Sequence, residues 1–329
     1  MKILLPTHDY PPARGGVARY LGAIKETFSE EVDVLYWKEL PGRLAMFFEI
    51  LREMKKYDAL WISHILPIGT VAWLTSMINR KPYVVILHGM DFDLSRRNIW
   101  KGWLSKKILK NAQRVVVNSK ALAREVLEFG IANPLVVYPA VSDAFVESSS
   151  FISKQKSDQI RLLTVARLVE RKGHLDVIEA IKNQKNINYT IVGDGEMRKE
   201  IENKINSLEL QDRIQVLQHV SDRKLPELFS QSDIFVMPAK KSVYDREGFG
   251  IVYLEAQLFQ TPVIAINTPG VNEAVGGGIL INDISELKNA IDKLANDSNL
   301  RSTLGKKGRD FVISDFTREK QMSKLKVLL

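Results

Sequence analysis

The stretch REGFGIVYLEAQLFQTPVIA, residues 246–265, places a loop, a helix and a strand in direct succession. Gly248 and Gly250 lie in the loop, and the apolar spacing that follows Gly250 predicts a helix. The run at 263–266 is rich in Val and Ile and is typical of a buried parallel strand. A helix that leads directly into such a strand indicates an α/β fold.

The same alternation extends along the rest of the chain. Short runs rich in Val, Ile and Leu predict strands at 2–5, 32–36, 59–62, 83–87, 114–117, 135–138, 161–165, 189–192, 214–217, 234–237, 263–266 and 279–281. Helix-like spacing separates them at 17–28, 44–55, 68–78, 99–111, 121–129, 175–181, 197–208, 225–231, 251–259 and 284–294. The sequence therefore predicts two doubly wound α/β domains.

The length of 329 residues also favours two domains. The alternation pauses in a polar, Ser-rich segment, within which we place a linker at 146–157. The predicted domains are then a Rossmann-like N-terminal domain, 1–145, and a Rossmann-like C-terminal domain, 158–312.

The composition excludes several classes of protein. Apolar residues make up 45% and charged residues 26% of the chain, ordinary values for a globular protein. No apolar run reaches the length of a membrane span, and the N-terminus lacks the apolar region of a signal peptide. Cysteine is absent, which excludes disulfides, thiolate catalysis and Cys-ligated zinc. We expect a cytoplasmic protein.

The net charge of +8 is concentrated in the first half of the chain. Residues 96–124 contain nine basic residues and no acidic one, so an anionic partner should meet this half. Trp100 and Trp103 stand among the lysines of 98–111, a composition suited to an anionic membrane interface. The alternative is that this helix simply packs on its sheet. Residues 44–56, apolar and then basic, form a second candidate.

Glu247 and Glu255 stand eight residues apart around the predicted helix start. Gly248 and Gly250 lack a Cβ, so a ligand can approach the backbone there. The unpaired N–H groups of a helix start favour a phosphate. The alternative is a capped helix whose two glutamates are solvated.

The residues of this stretch that carry a resemblance are Glu247-Gly248-Phe249-Gly250, Glu255-Ala256 and Pro262-Val263-Ile264. They resemble the E-x7-E signature of the retaining glycosyltransferases of family 4, and GIVYLEAQ is especially similar to the phosphatidylinositol mannoside mannosyltransferases. The resemblance implies a GT-B fold, two Rossmann-like domains facing across a cleft, with a C-terminal helix at 313–329 crossing back to the first domain. It also implies that Glu247 contacts the donor sugar near its 3-hydroxyl, that Glu255 holds the ribose, and that residues 248–250, including Phe249, line the donor site. Gln260 departs from the glycine that the family usually has before its P-V-I.

A second motif, TVARLVERKG at 164–173, places Arg167 at a strand end and Lys172 five residues later. Two cations at the carboxyl edge of a parallel sheet lie where such folds bind ligands, although isolated pairs of this kind are often surface charge. The resemblance implies that they clamp the donor diphosphate without a metal. Arg171 is expected to face solvent.

Further donor contacts follow from the resemblance at two strand ends of the C-terminal domain. Gly193 begins a G-D-G turn, which lacks the third glycine of a dinucleotide fingerprint. Val220 follows the next strand, where the family's backbone contacts the base.

In the N-terminal domain, Gly15 and Gly16 follow the first strand and allow exposed backbone N–H groups suited to a phosphate or a sugar oxygen. His88 ends the fourth strand, and the resemblance implies a catalytic position near the donor sugar, although a lone histidine there is more often structural. Asp91 and Asp93 form a D-x-D string that belongs to a different glycosyltransferase architecture, so we discount it as a metal motif.

No metal or cofactor is expected, because the remaining histidines, His8, His64, His174 and His219, have no metal-ligand spacing to a partner in the sequence. The expected activity is transfer of a hexose from a UDP- or GDP-sugar to a hydroxyl of a glycan or lipid-linked acceptor, with retention of configuration, at the inner face of the membrane and with no nucleic acid involved.

Two alternatives stay open at this stage. A nucleotide-sugar epimerase or hydrolase would keep the phosphate clamp but need no acceptor. A non-enzymatic module that binds an anionic surface through 96–124 would show salt-dependent binding that is independent of Glu247 and Arg167.

Overall fold

The computed structural model describes residues 1–13, 15–151, 157–221, 223–240 and 247–329. The chain divides into unit 1, residues 1–140 and 318–329, and unit 2, residues 141–317. Each unit contains one six-stranded parallel sheet with helices on both faces. The predicted fold class is therefore confirmed.

Unit 1 builds its sheet from five βα repeats and a sixth strand. Its elements are β1 Ile3–Thr7, α1 Gly16–Thr27, β2 Val32–Tyr36, α2 Arg43–Glu53, β3 Ala59–Ser63, α3 Thr70–Asn79, β4 Tyr83–Leu87, α4 Met90–Ser95, α5 Ile99–Asn111, β5 Arg114–Val117, α6 Lys120–Glu128 and β6 Leu135–Val136, with α15 Arg318–Met322 near the chain end. The strand order is β2-β1-β3-β4-β5-β6. The order reverses beside β1, which makes the β1/β3 edge the switch point at which such sheets bind ligands.

Strand β4 shows why these runs form the core. All five of its residues are buried. Val85 and Leu87 pack in a cluster with α2, α3, α5 and α6, whereas Val84 and Ile86 pack on the other face with α1 and the C-terminal segment. Side chains of a strand alternate between faces, so a sheet covered on both sides requires a continuous apolar run.

Unit 2 repeats the architecture. Its elements are α7 Asp143–Ser148, β7 Ile160–Val165, α8 His174–Ile181, β8 Ile187–Val192, α9 Arg198–Ser207, β9 Ile214–Leu217, α10 Leu225–Gln231, β10 Ile234–Met237, α11 Ile251–Leu258, β11 Val263–Ile266, α12 Val271–Ala274, β12 Gly278–Ile281, α13 Leu287–Asn296 and α14 Ser298–Asp315. The strand order is β12-β11-β10-β7-β8-β9, so the ends of β10, β7, β8 and β9 are neighbours at one edge.

The predicted linker at 146–157 is partly helical where the structure describes it. α7 continues to Ser148, a 3-10 turn spans Ser149–Phe151, and 152–156 lie outside the described residues. Phe145 anchors α7, because its ring is buried and lies 6.1 Å from the rings of Phe229 and Phe259. This local packing draws the Ser-rich segment into unit 2, and the division between the units falls after Ala140.

The predicted C-terminal helix at 313–329 is divided in the structure. α14 ends at Asp315, and α15 and a 3-10 turn, Ser323–Leu328, follow. The residues from Arg318 onward belong to unit 1, where Met322 and Leu325 are buried in one cluster with Leu21 of α1.

Gln260 stands just after the end of α11, at a position where the family usually has glycine. Gln260 has φ 53°, a left-handed conformation that glycine adopts without a Cβ penalty. The N–H of Thr261 bonds the carbonyl of Ala256 at 3.1 Å, and the N–H of Gln260 bonds that of Gln257 at 2.9 Å. This is a complete Schellman motif, so the helix ends in the usual way with glutamine in the glycine position.

The side-chain amide of Gln257 holds the loop between α12 and β12 against α11. Its nitrogen donates to the carbonyls of Tyr253 and Ala274 at 2.8 and 2.7 Å. Its oxygen accepts from the backbone N–H groups of Gly276 and Gly277, both at 2.7 Å. Gln257, Ala274 and Gly277 are buried, so water cannot easily replace these hydrogen bonds.

We predict that Gln257→Leu lowers the free energy of unfolding by about 3 kcal/mol, because it leaves the carbonyl of Ala274 and two glycine N–H groups buried without this partner. Urea unfolding followed by circular dichroism measures the loss. The same substitution at the exposed Gln231 should change stability by less than about 0.5 kcal/mol. Equal effects at both positions would contradict the role assigned to the Gln257 amide.

Candidate functional site

The loop after β7 carries the two cations that the sequence predicts to clamp a diphosphate. Arg167 follows the strand and is exposed, and its guanidinium has no carboxylate partner among the described residues. Lys172 ends a 3-10 turn, Glu170–Lys172, and is buried. Gly173 then takes φ 73°, and a Cβ there would lie 2.8 Å from Pro238. The close approach of this loop to the end of β10 therefore requires glycine.

Lys172, Arg171 and Glu247 form a buried ion cluster. One carboxylate oxygen of Glu247, Oε2, accepts hydrogen bonds from Lys172 Nζ and, at 3.1 Å, from Arg171 Nη1. The side chains of all three residues are largely buried. The predicted solvent-facing position of Arg171 is wrong, because its guanidinium is drawn inward by this carboxylate. No sequence pattern indicated this contact, because 76 residues separate Arg171 from Glu247.

The cluster sets the charge states of its members. Burial raises the pKa of Glu247, but the charges and hydrogen bonds of Lys172 and Arg171 outweigh it, so the net pKa is lowered. Burial also lowers the pKa of Lys172, and Arg171 and Arg167 lower it further against the opposing charge of Glu247. A lysine held in this way gains from any additional anion, because an anion stabilises its charged form.

Helix α11 lies directly after Glu247. Gly250 precedes it with φ 84°, and a Cβ there would lie 2.5 Å from the ring of Tyr253. The hydroxyl of Tyr253 donates to the carbonyl of Met237 at 2.8 Å, which fixes α11 against the end of β10. Glu255 is buried within the helix, and Phe249 is buried in the loop before it. The structure thus has Glu247 in the loop and Glu255 in the helix, as the sequence predicts.

Close backbone packing requires glycine at two positions near this site, Gly270 and Gly193. A Cβ on Gly270 would lie 2.1 Å from the carbonyl oxygen of Gly248, so these two loops are in direct backbone contact. A Cβ on Gly193 would lie 1.9 Å from the carbonyl oxygen of Ala166. The G-D-G turn also accepts the N–H of Leu168 at 2.9 Å through the carbonyl of Asp194. The turn therefore braces the backbone on both sides of Arg167.

Val220 lies in the loop after β9, at the same edge as Gly193 and Arg167, because β7, β8 and β9 are consecutive in the sheet. The registers Val165–Val192 and Val192–Leu217 bring these strands to a common end. The fold thus brings the predicted donor residues of unit 2 to one sheet edge.

His174 is a residue near this site that sequence reasoning missed. It begins α8, is buried, and its Nε2 lies 3.2 Å from the carbonyl oxygen of Arg167, to which the N–H tautomer donates. Burial and the charge of Lys172, partly opposed by that hydrogen bond, lower the pKa of His174 to about 4. A neutral histidine thus supports the loop of Arg167. The only sequence signal was its position directly after Lys172-Gly173.

In unit 1, Gly15 and Gly16 form the start of α1. Gly15 precedes the helix without a side-chain cap, and both glycines are exposed. A Cβ on either would meet nothing within 4 Å. The first N–H groups of a 12-residue helix are therefore accessible, which is the geometry expected for an anion or sugar oxygen.

His88 directly follows β4, and both its backbone and its ring are in contact with neighbouring residues. Its backbone N–H donates to Asp91 Oδ1 at 2.9 Å, and its carbonyl accepts from Asn118 Nδ2 at 3.0 Å. Its ring Nε2 lies 3.2 Å from Ser63 Oγ, and Tyr20 packs edge-on against it at 5.6 Å. Burial lowers the pKa of His88 well below its usual value, and His64 adds to the effect, so the imidazole is neutral near pH 7.

The D-x-D string has local partners. Asp91 accepts the N–H of His88, and burial raises its pKa. Asp93 pairs with Arg96 at 2.7 Å, and Arg96 also lies over the ring of Phe92. Both carboxylates thus stabilise α4 and its surroundings.

The basic helix α5 presents its tryptophans to solvent. Ile99, Trp100 and Trp103 are 90%, 81% and 54% exposed, whereas Ser105, Ile108 and Leu109 form the buried face. Packing on the sheet therefore does not use the tryptophans. Neighbouring helices expose further apolar side chains, which are Leu44 and Phe48 of α2 and Leu74, Met77 and Ile78 of α3. Within the described ranges, no helix combines the length and the apolar character needed to span a membrane.

The comparisons with known proteins agree with this architecture. Residues 145–311, slightly more than half of the chain, match the model of the family described as glycosyl transferases group 1. Residues 14–145 match the model of Glycosyltransferase Family 4.

Two relatives match most of the chain. An uncharacterized glycosyltransferase of Methanocaldococcus jannaschii is 27% identical over 79% of this chain and 71% of its own length. The GDP-mannose-dependent monoacylated alpha-(1-6)-phosphatidylinositol monomannoside mannosyltransferase of Corynebacterium glutamicum is 25% identical over 97% of this chain and 95% of its own.

Solved structures share the fold. Anabaena HepE in complex with UDP superposes with a TM-score of 0.84 at 20% identity, covering 100% of this chain and 99% of that one. Sucrose-phosphate synthase from Thermosynechococcus elongatus gives 0.82 at 20% identity, covering 99% and 98%. The chain belongs to the glycosyl transferases group 1 family and is a family 4 glycosyltransferase with the GT-B fold.

Proposed function

We propose that this glycosyltransferase moves a hexose from a UDP- or GDP-sugar to a hydroxyl of a glycan or lipid-linked acceptor, with retention of configuration and without a metal. The observation that carries the proposal is the buried Lys172–Arg171–Glu247 cluster beside the exposed Arg167. Unit 2 then binds the donor, and unit 1 receives the acceptor.

The charges of unit 2 suit a diphosphate. Arg167 is exposed and extends from a braced loop, and Lys172 lies five residues later at the same sheet edge. A diphosphate that reached both cations would compensate Lys172, whose charge is only partly balanced by Glu247. Preorganised cations of this kind stabilise charge that grows on a leaving group.

The proposed reaction breaks the bond between the anomeric carbon and the oxygen of the β-phosphate. The bonding electrons leave with the diphosphate, where Arg167 and Lys172 receive the charge. The acceptor oxygen forms the new bond on the same face of the sugar, and its proton passes to the departing phosphate oxygen. The products are the glycoside and the nucleoside diphosphate, so atoms and charge balance.

The state of Glu247 supports attack without a covalent intermediate. A carboxylate that accepts from two cations and has a lowered pKa is a weak nucleophile. Such a carboxylate can still accept hydrogen bonds from a sugar hydroxyl through its second oxygen. We therefore assign Glu247 to sugar orientation and Glu255 to the ribose hydroxyls, and His88 to a neutral contact with the sugar.

The relatives leave the nucleotide open. The mannosyltransferase of Corynebacterium glutamicum is named as GDP-mannose-dependent, and the Anabaena structure contains UDP. The family match disfavours an epimerase, a hydrolase or a non-enzymatic binding module as the main activity. Mass spectrometry of the products decides this directly, since only a transferase yields a glycoside of the acceptor.

We predict that Lys172→Met and Glu247→Gln each lower kcat/KM for transfer by about 100-fold or more, because each removes one preorganised electrostatic contact. Thermal-shift screening with UDP-, GDP- and ADP-sugars first identifies the donor, since a specific ligand raises the apparent stability. Lys172→Met should also reduce that thermal shift.

Matched controls separate this effect from a general change of charge. Lys204→Met and Glu202→Gln alter half-exposed residues of α9 that form surface ion pairs. Both should retain the donor-induced thermal shift and the transfer rate. Full activity of Lys172→Met or Glu247→Gln would overturn the assigned donor site.

We predict that prolonged treatment with EDTA followed by gel filtration leaves the transfer rate unchanged, because Arg167 and Lys172 supply the positive charge that a metal provides elsewhere. The measurement compares initial rates before and after treatment, with added Mg²⁺ or Mn²⁺ as a further arm. A loss of activity restored by either ion would contradict metal-independent transfer.

We propose further that α2, α3 and α5 form a docking face for an anionic bilayer, on the cytoplasmic side where nucleotide sugars are made. Exposed Trp100 and Trp103 can enter the interface, and the exposed Lys101, Lys106 and Lys107 can meet anionic headgroups. This charge complementarity favours a membrane over an uncharged partner. A lipid-linked acceptor would then be met at the surface that holds it.

We predict that the double variant Trp100→Ser/Trp103→Ser binds vesicles containing phosphatidylglycerol about tenfold more weakly. The corresponding loss of binding free energy is smaller than the free energy gained when one large apolar side chain is fully buried. Co-sedimentation measures the binding, which should fall further as salt rises. Val327→Ser is the control, because Val327 is 73% exposed in the C-terminal segment, whose Leu325 and Leu328 pack on the opposite face of the sheet. Equal binding by both variants would exclude this face.

A further inference from the structure

Three side chains converge at the carboxyl edge of the sheet of unit 1, although His64 is far in the sequence from the other two, His8 and Asp9. His8 and Asp9 follow β1, and His64 follows β3, the neighbouring strand. One ligand atom from each lies within 4.8 Å of the other two. The distances to Asp9 Oδ2 are 3.4 Å from His64 Nε2 and 3.9 Å from His8 Nε2.

We propose that His8, Asp9 and His64 bind one divalent transition-metal ion of the zinc class. Two imidazoles and a carboxylate are a ligand set that such ions accept, and three protein ligands leave a further position open. Tetrahedral bonds of about 2 Å place ligand atoms roughly 3.3 Å apart. The separation of His64 Nε2 from Asp9 Oδ2, 3.4 Å, is close to that value. The separation of His8 Nε2 from Asp9 Oδ2 is 3.9 Å, so the partly exposed His8 ring would have to move toward the other two ligands when an ion binds.

The neighbours of the cluster orient its ligands. Ser63 Oγ lies 2.9 Å from His64 Nδ1, so the tautomer with its proton on Nδ1 donates to Ser63 and keeps the Nε2 lone pair for an ion. Thr7 Oγ1 accepts a hydrogen bond from the backbone N–H of Asp9 at 3.0 Å and donates to the backbone carbonyl of Asp9 at 3.3 Å. These two bonds fix the backbone of the residue that supplies the carboxylate. Metal sites commonly depend on such outer contacts.

The position of the cluster also favours a ligand. It lies where the strand order reverses beside β1, the point at which open parallel sheets bind ligands. Ser63 connects His64 to His88 through Oγ, 3.2 Å from His88 Nε2. The site rests on the geometry of unit 1 alone, and it stands whether or not the proposed transfer reaction is correct.

The test is a titration of the EDTA-treated full-length chain with Co²⁺, whose visible ligand-field bands report its coordination, followed by displacement with Zn²⁺. We expect one ion per chain and no displacement by Mg²⁺. Asp9→Asn and His64→Asn should each weaken Co²⁺ binding by at least 100-fold. Asparagine replaces His64 because, like histidine, it occurs at positive φ more often than most residues, which limits the backbone strain that the substitution adds.

Further variants distinguish this site from unspecific binding. Ser63→Ala should weaken binding by about tenfold, as expected for an outer contact. His219→Asn is the matched control, because His219 is an exposed histidine of unit 2 that also has positive φ. It should leave the affinity unchanged. Absence of a one-to-one cobalt spectrum, or equal affinity in Asp9→Asn, His64→Asn and the control, would overturn the proposal.

Discussion

The proposed donor site of this protein depends on one carboxylate between two buried cations. Glu247 compensates Lys172 and Arg171 in a place where none of the three would be stable alone. The cluster connects the loop after β7 with the loop before α11, so it fixes the two segments that carry the proposed donor contacts. Its charges are arranged before any ligand arrives, which is the condition for electrostatic catalysis without reorganisation.

Close backbone packing holds these loops in place. Gly173 approaches Pro238, Gly193 approaches Ala166, and Gly270 approaches Gly248, each at a distance that no Cβ allows. The glycines that resemble a ligand-binding fingerprint therefore also have a structural reason. His174 adds a neutral hydrogen bond to the carbonyl of Arg167. These backbone contacts, and not the side chain of Arg167, hold the loop around Arg167 in place.

Unit 1 places a different set of groups at the carboxyl edge of its own sheet. Neutral His88, the exposed start of α1 and the His8–Asp9–His64 cluster all follow the ends of adjacent strands. Helix α5 of unit 1 buries only some of its apolar residues in the core. The other apolar residues of α5 are exposed to solvent beside lysines.

The sequence by itself determined the strands, most of the helices and the α/β class, because buried parallel strands require continuous apolar runs. It missed α14, whose buried face carries Gly305 and Gly308 packed against the end of α11, so the helix lacks an apolar stripe. It also placed Arg171 in solvent. Only the tertiary structure decided that Arg171 meets Glu247 and that His8 meets His64, because strand order brings distant segments to one edge and no local pattern records that order.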